Sequence, residues 1–305
     1  MSGAALYLSD IGYTLGEPTP VASVVGDREA RDSLDILRQE GVESYRVSES
    51  TPAQLAAASC LPQTVAGLSG SAGVVYCTDS PPSMTLTDDM WDFLCQTGIP
   101  DRTAVVSGGS GCGNLGPGLA VARGLLMGGE HMDILLVTTD RVITGTRFVA
   151  SGLTVLSDSA ASCRVTAEPP ERGFRVTGMA SLVRAATRHH GQGLASARSL
   201  ITAVGQLVPR AFRNSESSAT ESRHLLTGNY GVTPRSLLAM AAGLEPEAHY
   251  APRVGELGHC FSADILISLA DLDADGSLAH GDQLMLIASS PKAWSVVAVD
   301  YYRPA

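Results

Sequence analysis

The sequence contains very little lysine, few aromatic side chains and no long apolar run. A single lysine, Lys292, stands among 21 basic residues, against 31 acidic ones, and the formal net charge is -10. A chain this acidic has no general attraction for nucleic acid or an anionic membrane surface, so we expect neither as a partner. No stretch of about 18 apolar residues occurs, and we therefore expect no transmembrane helix.

The cysteines lack the spacing of a metal site or a redox pair. They stand at positions 60, 77, 95, 112, 163 and 260, without a CxxC pair and without a Cys/His metal pattern. The N-terminus has neither a basic region nor a long apolar core, and its pattern is that of a strand and not of a signal peptide. These features predict a cytoplasmic protein with free thiols and no metal, in which most cysteines are small buried hydrophobes.

Short apolar strands alternate with longer amphipathic helices along the 305 residues, of which 44% are hydrophobic. The alternation restarts near residue 196, after two strands joined by a turn at Pro169 and Pro170. This pattern predicts an α/β protein with buried sheets, divided into an N-terminal half (1–165) and a C-terminal half (166–305). No sequence repeat links the halves, so any duplication would be structural only.

One glycine-rich loop surrounds a cysteine between a predicted strand and a predicted helix. The segment from Ser107 to Gly118 reads SGGSGCGNLGPG. Glycines permit positive φ angles and close backbone approach. Cys112 would face the positive end of the helix dipole, which favours the thiolate and makes a good nucleophile. On the local pattern alone, Cys112 could equally be a small residue in a tight turn.

The same loop also fits a dinucleotide-binding pattern. Gly111, Gly113 and Gly116 match G-x-G-x-x-G, and Asp140 ends the next strand, 24 residues after the last of these glycines. Two strand-helix units precede the motif, however, whereas a dinucleotide fingerprint is expected in the first unit. The pattern is also easily met in a glycine-rich stretch, so dinucleotide binding is the weaker alternative.

With these residues in view, the chain resembles the thiolase superfamily, and most closely its β-ketoacyl-acyl-carrier-protein synthase III branch. In that branch a strand leads to a nucleophilic cysteine at a helix N-terminus, and Cys112 followed by GNLGPGLAVA reproduces this spacing. LSDSAASCRV resembles the family's "FGDGAGA" strand with Asp158 retained, ELGHCFSADILISL resembles its "GNTSAAS" turn and helix, and HGDQLMLIASSPKAW resembles its last segment. The resemblance implies a five-layered αβαβα thiolase fold of two pseudo-duplicated halves, usually a homodimer.

The polar partners of the cysteine depart from the synthase pattern. Where synthases have a histidine in "HQAN", this sequence has LLTGNYG, and Gly258-His259 replaces the "GN" turn. Asn229 and His259 are thus exchanged, as in thiolases with their "NEAF" and "GHP" segments. The resemblance implies that His259 is the base for Cys112, that Asn229 donates a hydrogen bond to a thioester oxygen, and that Asp264 orients the imidazole.

Each of these three residues also has a plainer interpretation. A histidine beside Cys260 could be an ordinary packed residue, Asn229 could be a turn residue, and Asp264 could be a helix N-terminal charge. The family's closing loop supplies a backbone N–H to an oxyanion hole, together with the N–H of the nucleophile. Here that loop reads SSPK, so the resemblance implies that the backbone N–H groups of Cys112 and Ser290 form the oxyanion hole.

Two further patterns compete with this interpretation. The stretch from Asp271 to Asp282 resembles a calcium loop of the EF-hand type, but a strand pattern follows it, so we interpret it as a polar helix-to-strand turn. A positive zone could receive an acidic carrier protein or a nucleotide phosphate, or could be a solvated face. The residues of this zone are Arg172, Arg175, Arg184, Arg188, His189, His190, Arg198, Arg210 and Arg213.

Together, these features predict an acyltransferase that loads an acyl group from an acyl carrier protein or CoA thioester onto Cys112. An acceptor then takes the group, in specialised, polyketide-type metabolite biosynthesis. No permanently bound cofactor is expected, because acyl-CoA or acyl-phosphopantetheine is itself the substrate. The alternatives are a carbon-carbon condensing β-ketoacyl synthase and a non-catalytic partner subunit of a synthase. Retention of Cys112 argues against the last of these.

Overall fold

The structure is a computed structural model that describes residues 5–23, 28–80, 85–143, 145–149, 153–185, 194–213, 215 and 218–304. The strands are β1 (Leu6–Leu15), β2 (Glu17–Pro20), β3 (Ser44–Val47), β4 (Gly73–Cys77), β5 (Ala104–Ser107), β6 (Asp133–Asp140), β7 (Phe148–Val149), β8 (Thr154–Val155), β9 (Ser159–Thr166), β10 (Gly173–Val183), β11 (His224–Thr227), β12 (Gln283–Ser289) and β13 (Ala293–Tyr302). The helices are α1 (Arg28–Gln39), α2 (Pro52–Ser59), α3 (Pro62–Ala66), α4 (Leu86–Gln96), α5 (Leu115–Met127), α6 (Leu194–Ala211), α7 (Val232–Ala242), α8 (Val254–Leu257) and α9 (Asp264–Asp275).

Nine strands form one mixed sheet in the order β11-β12-β13-β10-β1-β9-β6-β4-β5. β4 pairs in parallel with β5 and β6, as the alternating strand-helix pattern of this half predicts. β1 lies between β9 and β10 and is antiparallel to both, so the first strand of the chain joins the two halves. The predicted boundary at residues 165 and 166 falls at the end of β9, where the chain turns towards β10.

Alternate residues along the strands separate three apolar cores. On β4, Val75 and Cys77 join a central core with α5 and α9, whereas Val74 and Tyr76 face α2 and α4 on the other side. This follows from the two-residue period of a strand. In the C-terminal half, α6 and α7 cover the outer face of β10, β12 and β13. The two halves of this single sheet therefore enclose the central helices, and further helices cover the outer faces, which is the five-layered arrangement that the resemblance implies.

A threonine followed by a proline predicts a capped helix start at Thr51 and again at Thr233, and only the first of these predictions is correct. Thr51 caps α2 with a full capping box, because its hydroxyl accepts the Gln54 N–H while the Gln54 side chain accepts the Thr51 N–H. The predicted threonine cap of the helix TPRSLLAMAAGL is wrong. That helix, α7, begins at Val232, and Thr233 lies inside its first turn. Glu40 supplies the cap, since its carboxylate accepts both the N–H and the hydroxyl of Thr233.

The buried carboxylate of Asp158 fixes the loops beside the sheet. It accepts both guanidinium nitrogens of Arg147 at 2.7 and 2.8 Å and the N–H groups of Ser48 and Val142. A buried carboxylate is stable only when it is paired and hydrogen-bonded in this way. The retained aspartate of the family-like strand therefore has a structural role. Among the described residues, no helix combines the length and apolar character required to cross a membrane.

Candidate active site

Cys112 lies in a tight turn between β5 and α5, as the sequence predicts. The turn spans Gly111–Gly113, and the N–H groups of Gly113 and Asn114 donate to the carbonyls of Ser110 and Gly111 at 3.0 Å. The φ angle of Gly111 is +55°, which a glycine adopts without strain. The thiol of Cys112 is half-buried, and its N–H has no acceptor among the described residues.

The buried cysteines differ from Cys112 in their surroundings. Burial raises the pKa of Cys60 to about 11 and that of Cys77 to about 12, and it raises the pKa of Cys163 and Cys260 as well. Thiols with raised pKa values remain neutral at physiological pH and react slowly. They therefore serve as small buried hydrophobes, as predicted for most of the cysteines.

The backbone of His259 is fixed by contacts with the segment between β8 and β9. Its N–H donates to the carbonyl of Val155 at 2.8 Å, and its carbonyl accepts the N–H of Ser157 at 2.9 Å. Gly258 has a φ angle of +62°, and a Cβ atom there would lie 2.9 Å from both Ser157 Oγ and Val155 O. The position before His259 therefore requires glycine.

Asp264 lies at the start of α9 and holds the imidazole of His259 by a short hydrogen bond. The distance from His259 Nδ1 to Asp264 Oδ2 is 2.5 Å, and both side chains are buried. The same oxygen accepts the N–H of Asn229 at 2.6 Å, and Oδ1 accepts the N–H of Cys260 at 2.8 Å. Asp264 thus fixes the imidazole and also ties the loop after β11 to the turn before α9.

Asn229 enters this arrangement through its backbone. Its N–H donates to Asp264, and its carbonyl accepts the hydroxyl of Thr154 at 2.8 Å. None of the hydrogen bonds among the described residues uses its side-chain amide. The structure therefore brings Asn229 close to His259 and Asp264, while the contact of its amide with a thioester stays a prediction.

The second nitrogen of His259, Nε2, is buried and has no hydrogen-bond partner among the described residues. The turn of Cys112 packs against the turn Phe261–Ala263, which follows His259. Burial by itself lowers the pKa of His259, but interactions with the ionisable groups of Cys112, Tyr230 and Asp264, and the hydrogen bond to Asp264, outweigh burial and raise this pKa well above the usual value. The surroundings of the imidazole therefore favour its protonated form.

Two residues that the sequence patterns did not single out, Tyr230 and Gly228, lie against this imidazole. The ring of Tyr230 lies 4.8 Å from the ring of His259, and its hydroxyl donates to the Ser289 carbonyl at 3.0 Å. A Cβ atom on Gly228 would lie 3.0 Å from His259 Cε1. The missing side chain at position 228 thus gives the imidazole its space. The signal was present in LLTGNYG, where a glycine stands in the segment that aligns with "HQAN".

A methyl group at position 228 is expected to displace the imidazole. In Gly228→Ala the new carbon would meet Tyr230 Cζ at 2.7 Å as well as His259, so we expect at least a tenfold loss of acyl loading and about 1–3 kcal/mol of lost stability. Gly205→Ala is the control, because that exposed helical position has no atom within 4 Å of the new carbon. Equal rates for both variants would contradict this placement of His259.

The predicted oxyanion donor Ser290 requires a correction. Its N–H already donates to the carbonyl of Ala293 at 2.8 Å and closes the turn between β12 and β13. The Ser290 side chain does lie beside the Cys112 turn, since a Cβ atom on Gly111 would lie 3.3 Å from Ser290 Cβ. The serine therefore contacts the site, but its N–H is occupied within the hairpin and is not the predicted free donor.

The carboxylate of Asp140, the candidate ribose ligand, is occupied by protein groups. Its Oδ1 accepts the N–H groups of Asp79 and Ser80 and the hydroxyl of Ser80, and its Oδ2 accepts the hydroxyl of Ser262. Burial raises its pKa to about 6. Asp140 therefore serves as a structural support between the loop after β4 and the turn before α9.

The calcium-like stretch forms the end of α9 and the turn after it. Asp271 pairs with Arg253, Asp273 with Arg172, and Asp282 with Arg223. Within the described ranges no group of His, Cys, Asp and Glu side chains is arranged to hold a metal ion. These carboxylates therefore have different protein partners, in keeping with a polar helix-to-strand turn.

The predicted positive zone is not one patch. Arg172 and Arg175 lie at the start of β10 and pair with aspartates, whereas Arg184 directly follows its end. An eleven-residue strand spans roughly 35 Å, so these side chains lie far apart. Arg188, His189 and His190 lie outside the described residues. The described arginines of this zone are close together in the sequence, but they are distributed along the long strand β10 and the helix α6.

Comparison with known proteins places the whole chain in one fold. The structure superposes on ChlB3, described as an acyltransferase, with a TM-score of 0.83, 18% sequence identity and 99% of both chains covered. It superposes on 3-oxoacyl-(acyl carrier protein) synthase III, FabH, from Pseudomonas aeruginosa with a TM-score of 0.78 and 17% identity, again over 99% of both chains. OleA from Xanthomonas campestris gives a TM-score of 0.78 and 13% identity, with 98% of this chain and 99% of that chain covered.

The sequence by itself gives no such match, since it fits no protein-family model and no curated protein. The three-dimensional likeness, at identities below 20%, therefore establishes the fold. The expected thiolase-like α/β architecture of the synthase III type is confirmed by this likeness.

Proposed function

We propose that this chain, with its synthase III-like fold, is an acyltransferase that carries an acyl group on Cys112. The acyl group would come from an acyl-CoA or an acyl-phosphopantetheine thioester, and no permanently bound cofactor is needed. The observation that carries the proposal is the 2.5 Å hydrogen bond between His259 Nδ1 and Asp264. This bond leaves Nε2, on the opposite side of the imidazole, without a partner among the described residues, and the turn that holds Cys112 packs against the turn after His259. ChlB3, described as an acyltransferase, supports this assignment by its fold alone.

In the loading step, the thiolate of Cys112 attacks the thioester carbonyl, and a new carbon–sulfur bond forms. The resulting oxyanion collapses and breaks the bond to the CoA or pantetheine sulfur. His259, which the surrounding charges keep protonated, gives its proton to this leaving thiolate. The N–H of Cys112 donates to no acceptor in the described part of the chain and would be available to the oxyanion during the attack.

In the transfer step, the imidazole that has just lost its proton acts as the base. It takes the proton of an acceptor hydroxyl, amine or thiol, and the acceptor attacks the acyl carbonyl on Cys112. The bond to the Cys112 sulfur then breaks, and the thiolate and protonated His259 are restored. Asp264 keeps the Nδ1–H tautomer and stabilises the imidazolium in both steps, as the carboxylate of a triad does.

The alternative is a condensing enzyme, and one observation disfavours it. Decarboxylative condensation requires two donors that together stabilise an enolate oxygen, and synthases of this type use a histidine and an asparagine. Here Gly228 has no side chain, and the imidazole is committed to a carboxylate partner that suits proton removal from an acceptor. Transfer to a heteroatom therefore fits this site better than carbon-carbon bond formation. A non-catalytic partner subunit would not need the buried His259–Asp264 pair.

Product analysis separates transfer from condensation. The protein, loaded with an acyl group from CoA or from an acyl carrier protein, is offered a malonyl thioester and, separately, a panel of alcohols and amines. We expect a new ester or amide and no release of CO₂. A β-ketoacyl product with loss of CO₂ would establish the condensing alternative. Size-exclusion chromatography with light scattering on the same sample tests whether the chain forms the homodimer that the resemblance implies.

A further inference from the structure

Two aromatic rings lie against the imidazole of His259, and the transfer steps use neither. The ring centroid of Tyr230 is 4.8 Å from that of His259, with an angle of 45° between the planes. The ring of Phe261 is 5.9 Å away and nearly parallel, at 25°. They come from different segments, the loop after β11 and the turn before α9. The imidazole is therefore bordered by one ring from its own turn and by one ring from a segment distant in sequence.

Phe261 occupies a backbone conformation that favours glycine. Its φ angle is +53°, in the left-handed region, which is uncommon for a bulky side chain. The turn Phe261–Ala263 packs directly against the turn that holds Cys112. Glycine would meet the backbone requirement without strain. The one property that phenylalanine adds at this position is its ring, which contacts His259.

Tyr230 is held rigidly in its place. Its hydroxyl donates to the carbonyl of Ser289 at 3.0 Å and lies 3.2 Å from the Ser289 hydroxyl. Burial raises the pKa of Tyr230 to about 12, so that the phenol is neutral at physiological pH. A neutral ring with a fixed hydroxyl presents a constant π surface to the imidazole beside it.

We propose that Tyr230 and Phe261 are positioning residues that fix the imidazole of His259 and stabilise its protonated form by cation–π contact. A cation beside an aromatic face is attracted by the ring quadrupole, and more strongly where water is excluded. The titratable groups that face the imidazole are Cys112, Asp264 and the Tyr230 hydroxyl. The rings therefore add a contribution that does not depend on the ionisation of a neighbour.

This proposal rests on the proposed function, in which His259 acts with Cys112. One titration tests the role of the rings and the pairing of His259 with Cys112 separately. The pH at which His259 gains a proton is measured by NMR of ¹³Cε1-labelled histidine, with the signal assigned by its loss in His259→Asn. In the wild type we expect protonation well above the ordinary histidine range. In Phe261→Leu we expect the midpoint to fall by about one pH unit, the size that a buried cation–π contact supplies.

Two matched variants separate the ring from simple packing. Phe261→Tyr keeps an aromatic face on the same strained backbone and is expected to restore the wild-type midpoint. Phe174→Leu removes a buried ring at the start of β10, where it contacts Tyr301 and not His259, and is expected to leave the midpoint unchanged. Tyr230→Leu tests the second ring independently and is also expected to lower the midpoint. It keeps the test possible if Phe261→Leu does not fold.

The outcomes are distinguishable. An ordinary histidine midpoint in the wild type would overturn the proposed ion pair and the proposed mechanism with it. A raised midpoint in the wild type that is the same in Phe261→Leu and Tyr230→Leu would leave the mechanism intact and overturn the role of the rings. A fall of equal size in Phe174→Leu would also overturn it, because a general loss of packing would then explain the shift.

Discussion

His259→Ala is expected to slow acyl loading of Cys112 by about 10²–10⁴-fold, because the leaving thiolate loses its proton donor. The same change removes the positive charge that favours the thiolate of Cys112, so both the nucleophile and the leaving group are affected. The rate is measured by quenching the reaction of the protein with an acyl-CoA at set times and recording the intact mass. His280→Ala is the matched control, because His280 is exposed and lies outside the site.

The stability of the variant must be known for this comparison, since the imidazole is buried. The free energy of unfolding, measured by urea denaturation, shows whether the cavity left by His259→Ala disturbs the fold. A folded variant that loads Cys112 at the wild-type rate would contradict the assignment of His259 as the acid and base.

Asp264→Asn is expected to reduce acyl transfer on the order of 10³-fold, because an amide does not stabilise an imidazolium and can hold the wrong tautomer. The same change is expected to cost about 1–3 kcal/mol of stability. The carboxylate accepts His259 Nδ1–H and the N–H groups of Asn229 and Cys260, whereas an amide has one acceptor oxygen. Single-turnover kinetics and urea denaturation measure the two effects on one preparation.

Asp275→Asn provides the matched control for this change. Asp275 is an exposed residue at the other end of the same helix, α9, where it accepts the N–H of Ser277 and interacts with Tyr250. We expect wild-type activity from it. If Asp264→Asn and Asp275→Asn transfer the acyl group equally fast, Asp264 is only the helix N-terminal charge that the sequence also allowed.

The sequence predicted the parts of the site that depend on local order. Cys112 between a strand and a helix, and Asp264 five residues after His259, are both read from short segments in which backbone geometry determines proximity. The alternation of short apolar strands with amphipathic helices likewise predicted an α/β protein with buried sheets. These features could be predicted because each depends only on residues that are neighbours along the chain.

The missed features depend on contacts between distant segments. The glycine in LLTGNYG marks a missing side chain, but the sequence does not show that an imidazole from 31 residues further along the chain lies beside Gly228. The contact of Tyr230 with His259 arises in the same way, whereas the contact of Phe261 depends on the unusual backbone of the turn that follows His259. The oxyanion donor Ser290 was expected from a family loop, but the turn between β12 and β13 uses its N–H internally. Hydrogen bonds that close a turn are set by its exact geometry, which the sequence pattern SSPK does not specify.

The intact mass of the protein after incubation with a panel of acyl thioesters tests the central claim most directly. The wild type should gain the mass of one acyl group, peptide mapping should place it on Cys112, and Cys112→Ala should gain none. The exposed Cys95 provides an internal control for non-specific acylation, because it is accessible in both proteins. A wild type that stays unmodified with every thioester, or a Cys112→Ala variant that still becomes acylated, would contradict the account.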